Sequence, residues 1–172
     1  MDEDRLKDLA RRLDAVAGQN ERRIEQEKRI AAVRRERAFE LYAICSNLVR
    51  NVNALADRGR LELSPPQYSA DSFIDTGPNL FQINISGRIV DIAFESTDEL
   101  TSTESFLTPY TIGGAIRWFN QKSLESLGIR ERLLFLCAGR DDFVWTYFDE
   151  KTHRQGRFDE EYLMDLLEDL LQ

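Results

Sequence analysis

Three places in this 172-residue chain have residue types that could do chemistry. Asp149-Glu150-Lys151 is an acid–any–Lys triplet that follows an apolar run. At a strand end, with a further carboxylate such as Asp91 or Asp141, such acids can hold a hard divalent cation while the Lys steadies an attacked phosphate. With four Lys and 31 acids in the chain, slightly fewer than one such triplet is expected by chance. His153 is the only imidazole and sits in the polar stretch Lys151 to Gly156, which reads as a turn. A Ser–His–Asp or Cys–His site would have to use it, and acid–base work needs an oriented partner that this neighbourhood does not supply. Gly113-Gly114 lacks the further glycines and the strand-to-helix setting of a phosphate cradle, so it reads as a bulge or as close packing. Cys45 and Cys137 are too far apart for a disulfide framework or a metal-ligand pair. The chain is therefore expected not to be an enzyme, with no catalytic, cofactor-binding or metal-binding residues.

Charge points to an elongated segment and an acidic body. The net charge is −8, but residues 1–60 carry 14 Lys or Arg against 11 Asp or Glu, and the remaining residues carry 9 against 20. An acidic body repels phosphate, which argues against broad nucleic-acid binding through it. Arg22, Arg23, Lys28, Arg29, Arg34, Arg35 and Arg37 are crowded together, yet Glu21, Glu25, Glu27 and Glu36 are interleaved with them, as on a solvated, salt-bridged helix face. The longest apolar run is Leu133 to Ala138, too short to cross a membrane. Asp2, Glu3 and Asp4 carry the wrong charge for a signal peptide, so a cytoplasmic location is expected.

The first 57 residues read as helix. Leu6, Leu9, Leu13, Val16 and Asn20 are spaced three, four, three, four, a heptad seam suited to a coiled coil. From Ile30 the period becomes eleven, as in Ile30, Leu41, Val52 and in Val33, Ile44, Leu55, which ends any regular left-handed supercoil. Ala38, Tyr42, Cys45 and Val49 add a second apolar row, giving a face wide enough to lie on a sheet. The expected division is a charged, coiled-coil-like arm over 1–37 and a body over 38–172, with Leu6, Leu9, Leu13 and Val16 as self-association residues. Gly18-Gln19-Asn20 is a candidate break in the arm, Gly59 a candidate C-terminal cap, and 60–79 a connecting loop.

The body reads as hairpins closed by a helix. Phe81, Ile83 and Ile85 alternate with polar residues, as do Val90, Ile92 and Phe94. Gly87-Arg88 as a type II′ turn would set Ile85 opposite Val90, Ile83 opposite Ile92 and Phe81 opposite Phe94. Across Gly139 to Asp142, Ala138 should face Phe143, Leu136 face Trp145 and Leu134 face Tyr147. Both faces of that hairpin are apolar, and the second carries Leu133, Phe135, Cys137, Val144 and Phe148, the candidate partner-binding residues. Tyr110 to Phe119 reads as a strand, followed by a short helix at Ser123 to Leu127 stopped by Gly128. Asp159 is an N-cap, with Phe158 and Leu163 as a hydrophobic staple, for a last helix over 158–171. The helices at 38–57 and 158–171 either take one sheet face each or share one and leave the other to a second copy or a client. The abundance of apolar side chains favours sharing.

The expected fold class is α+β: a long N-terminal helix, an antiparallel sheet of about five strands, a short helix and a C-terminal helix. Over residues 38–171 the order of elements resembles that of small acidic secretion-chaperone folds, although no motif residue takes part. That resemblance implies a dimer that binds client proteins. The expected function is a non-catalytic protein–protein interaction module, adaptor or chaperone-like, that binds itself and a partner protein. The alternative is an accessory subunit of a nucleic-acid-processing machine whose basic arm contacts phosphates.

Overall fold

The computed structural model describes residues 2–121 and 129–172, and the short helix expected at Ser123 to Leu127 lies outside them. The elements are helix α1 (Glu3–Leu55), strands β1 (Glu62–Ser64), β2 (Asn79–Ile85), β3 (Arg88–Thr101), β4 (Tyr110–Asn120), β5 (Arg130–Ala138), β6 (Phe143–Asp149) and β7 (Arg154–Arg157), and helix α2 (Glu160–Leu171). The fold is α+β. The chain divides into two compact units, 1–33 and 34–172.

The first unit is the N-terminal part of α1. Asp2 starts it by accepting the Asp4 N–H at 3.2 Å, and Glu3 and Asp4 suit the positive end of the helix. No break occurs at Gly18-Gln19-Asn20: the helix runs through. A glycine in a helix interior costs only about 1 kcal/mol, less than the adjoining helix-forming residues supply together.

The second unit is a seven-stranded sheet in the order β1 to β7, each strand antiparallel to the next. Two short edge strands were not expected: β1 inside the loop at 60–79, and β7 in the turn before α2. Neither has the length or apolar alternation that marks a strand in sequence. Helix α1 ends at Leu55, short of Gly59, which caps nothing. The chain turns back there because the Asn53 amide pairs with both backbone groups of Leu61, accepting its N–H at 2.8 Å and donating to its carbonyl at 2.9 Å.

The hairpin of β2 and β3 turns one residue earlier than expected. Ser86 and Gly87 both have positive φ (51° and 89°), a type I′ pattern. Asn84 Oδ1 secures the turn by accepting the Gly87 N–H at 2.9 Å. Phe81 therefore pairs with Ile92, Ile83 with Val90 and Ile85 with Arg88. The slip is an even number of residues, so the apolar side chains keep the same face. The β5–β6 register is the expected one, with Ala138 on Phe143, Leu136 on Trp145 and Leu134 on Tyr147. Tyr110 to Asn120 is a strand, and Gly114 is what lets it lie there: a Cβ would stand 2.0 Å from the Ala93 carbonyl oxygen.

Both helices pack on one face of the sheet. Leu41, Cys45 and Leu48 of α1 and Leu163, Leu166 and Leu167 of α2 belong to one buried cluster with Phe81, Ile92, Ile116, Leu134 and Trp145. Two indoles fasten the layers: Trp145 donates to the Arg37 carbonyl and Trp118 to Asp169, each at 2.8 Å. Asp159 caps α2 by accepting the Tyr162 N–H at 2.9 Å, and Phe158 and Leu163 are both buried beside it.

Candidate interaction surfaces

On α1 the seam side chains are open to solvent: Leu6 is 47% exposed, Leu9 65%, Leu13 67% and Val16 53%. The charges around them form pairs along the helix, Lys7 to Glu3 and Arg12 to Asp8 at 2.8 Å and Arg23 to Glu27 at 3.9 Å. Such exposed pairs add a few tenths of a kcal/mol each to the helix. The arm is thus stiffened by polar pairs and presents an apolar stripe.

The most apolar part of the second sheet face of the body is covered by its own loop. Between β3 and β4 the chain folds so that Thr103 and Phe106 exchange backbone hydrogen bonds, at 2.9 and 3.2 Å, and the Thr103 hydroxyl accepts the Phe106 N–H at 3.0 Å. The Phe106 ring is turned onto the sheet, stacked on Phe135 at 4.3 Å and resting against Phe148 at 5.4 Å and Tyr110 at 6.3 Å. Of the five candidate partner-binding residues, Phe135, Cys137 and Phe148 are buried in this small cluster, and Leu133 packs against it half-buried. Val144 is half-buried on the same face. The structure brings these five together, but Phe106 occupies the middle of the patch. Phe106 is the only aromatic residue from Ser102 to Pro109, and that is the signal the sequence offers.

Three polar clusters tie the body together. Arg34 donates to Thr111 Oγ1 at 2.8 Å and to the Thr97 carbonyl at 2.5 Å, and pairs with Asp75 at 3.4 Å. Arg37 bridges Glu40 and Asp142. The Phe143 N–H and the Arg37 guanidinium hold the Asp142 carboxyl below its ordinary value. At the other end Asp169 accepts from both Arg130 and Trp118, which together hold its carboxyl low.

The residues singled out for chemistry have structural employment. Burial works to raise the Asp149 carboxyl, yet the Thr152 hydroxyl and the Lys151 N–H, each at 2.9 Å, and Arg132 at 3.2 Å outweigh it and hold the carboxyl low. Asp149 thus organises the turn into β7. His153 lies in that turn, exposed, with φ of 56°. Among the described residues no group of three His, Cys, Asp or Glu is placed to hold a metal ion. Burial pushes the Cys45 thiol up to about 12 and raises that of Cys137, the opposite of an activated nucleophile. No described helix is long and apolar enough to cross a membrane.

No family model, curated protein or solved structure matches this chain.

Proposed function

We propose that this protein is a non-catalytic interaction module that associates with itself through its N-terminal helix and binds a partner protein through its acidic α+β body. The observation that carries the reading is the stripe of Leu6, Leu9, Leu13 and Val16, each about half exposed or more on a helix whose other faces are charged. Pairing recovers roughly 1–2 kcal/mol for each such side chain that becomes well buried. The body supports the second half through Leu133 and Val144, half-buried on the face that carries Phe106, and through Leu107, exposed next to Phe106 in the chain.

The test is light scattering on the full chain and on a Leu9→Asp, Leu13→Asp double variant. The full chain is expected to be a dimer or larger at tens of micromolar, in round terms, and the variant a smaller species with unchanged circular dichroism. A monomeric full chain refutes self-association. A fluorescent DNA duplex should leave the anisotropy unchanged near physiological salt. Binding that weakens steeply with added salt would instead favour the accessory-subunit reading, with the basic arm on phosphate.

A further inference from the structure

We propose that two arms pair antiparallel, with Leu6 on the partner's Val16 and Leu9 on the partner's Leu13. This rests on the self-association reading and adds the orientation and register of the occupant, a second copy of the chain. The seam positions divide into two alternating sets, Leu6, Leu13, Asn20, Glu27 and Asp2, Leu9, Val16, Arg23, Ile30. In a parallel, in-register pair each residue meets its own copy. Asp2 would then face Asp2, Arg23 face Arg23 and Glu27 face Glu27, three like-charge layers around the apolar stretch.

An antiparallel pair sets one series against the other. Only the register centred between Leu9 and Leu13 gives every one of the four apolar residues an apolar partner. Leu6 meets the partner's Val16, Leu9 the partner's Leu13, and the same two layers recur on the other side of the axis. A shift of one heptad one way sets Leu6 against Arg23 and Leu9 against Asn20, and a shift the other way sets Leu13 against Asp2.

The flanking charges agree with that register. The next layer outward is Asp2 against the partner's Asn20, an acceptor against an amide donor. Asp2 spends one carboxylate oxygen on the Asp4 N–H and has the other to offer. One turn further along, the long side chain of the partner's Arg23 reaches back towards Asp2 and Glu3, and its own pairing with Glu27 is loose at 3.9 Å. The acidic start of each helix thus lies against the basic Arg22-Arg23 of the other. Beside the axis Ala10 meets the partner's Ala10, small enough for close approach. Arg12 meets the partner's Arg12, each neutralised by Asp8 on its own helix at 2.8 Å.

The test uses disulfide trapping in the full chain. Positions 6 and 16 are separated by about 15 Å along a helix, far beyond disulfide reach. Leu6→Cys and Val16→Cys chains, tagged differently, are mixed under oxidising glutathione. Native Cys45 and Cys137 are buried and stay out of the exchange, which a wild-type control verifies. The mixture is expected to give a covalent heterodimer, and each variant alone none. Covalent Leu6→Cys homodimers would show parallel pairing and overturn the orientation while leaving self-association intact. No covalent product from chains that scatter as dimers would overturn the register. Monomeric scattering by the wild-type chain would overturn the self-association reading itself.

Discussion

Removing the Phe106 ring should uncover the second sheet face. Phe106 is only 2% exposed, and its aromatic neighbours Phe135, Phe148 and Tyr110 all lie on the sheet beneath it. Transfer of a ring of this size from water is worth roughly 2–3 kcal/mol. The stacked and tilted aromatic pairs add about 1 kcal/mol beyond area. Phe106→Ala should therefore cost about 3–4 kcal/mol, within the range of buried Phe to Ala changes. Besides the ring, the loop is held by the two Thr103–Phe106 backbone hydrogen bonds, by the Phe106 N–H donating to Thr103 Oγ1, and by the Ala138 N–H donating to the Pro109 carbonyl. Urea unfolding should show a lower midpoint with little change in slope, and a dye that binds apolar surface should brighten on the folded variant. The control is the neighbouring Leu107, 78% exposed, where Ala should change stability by less than about 0.5 kcal/mol. A Phe106→Ala protein as stable as Leu107→Ala and silent to the dye would show that the ring does not close this face.

Gly114→Ala forces a Cβ to within 2.0 Å of the Ala93 oxygen and 2.8 Å of Phe94 Cα, both backbone atoms, and should cost about 2 kcal/mol or more in thermal or urea unfolding. Gly18→Ala meets nothing within 4 Å, and circular dichroism should show an arm helix firmer by up to about 1 kcal/mol. Asp169→Asn should cost about 1 kcal/mol at neutral pH, since the carboxylate is more than a third exposed and its ion pair is partly screened. Its folded carboxyl is held below the ordinary 3.8, so the stabilisation is complete above that value and lost as pH falls through the folded one. The stability difference between wild type and variant should accordingly narrow as the pH falls below 3.8. Lys151 contributes its backbone N–H to Asp149, so Lys151→Ala should keep the melting temperature. Neither form should cleave DNA with magnesium. Cleavage by the wild type that is lost in Lys151→Ala would overturn the non-catalytic reading.

The sequence shows most of this fold where two local signals coincide. The β5–β6 register is legible because apolar runs flank a short turn that only one pairing satisfies. The β2–β3 turn is legible only to within one residue, because a glycine serves either position of a two-residue loop. What decides is Ser86 accepting positive φ, helped by the Asn84 side chain, and residue type alone does not announce that. The edge strands β1 and β7 are illegible because pairing with an existing neighbour, not apolar alternation, makes them strands. Of the candidate surfaces, the arm stripe is legible because an exposed heptad needs no tertiary context. That Leu133, Phe135, Cys137, Val144 and Phe148 share one sheet face follows from their alternation in two paired strands. That Phe106 fills their midst depends on a loop conformation, which periodicity cannot carry.

The distribution of unsatisfied surface supports the proposal that association falls to the arm. An open sheet can add strands at its edges, and this one ends in a three-residue strand on one side and in Arg154 to Arg157 on the other. Shortness and positive charge both discourage edge-to-edge pairing. The helix-covered face is filled by large buried side chains, among them Phe81, Phe94 and Phe158. The other face has Phe106 over its most apolar part. A body so closed gains little by meeting its own copy, and its acidity opposes that meeting at long range. On the arm the balance is reversed. Exposed Leu and Val side chains lie between ion pairs already satisfied along the same helix, so pairing removes apolar surface from water without desolvating an unpaired charge.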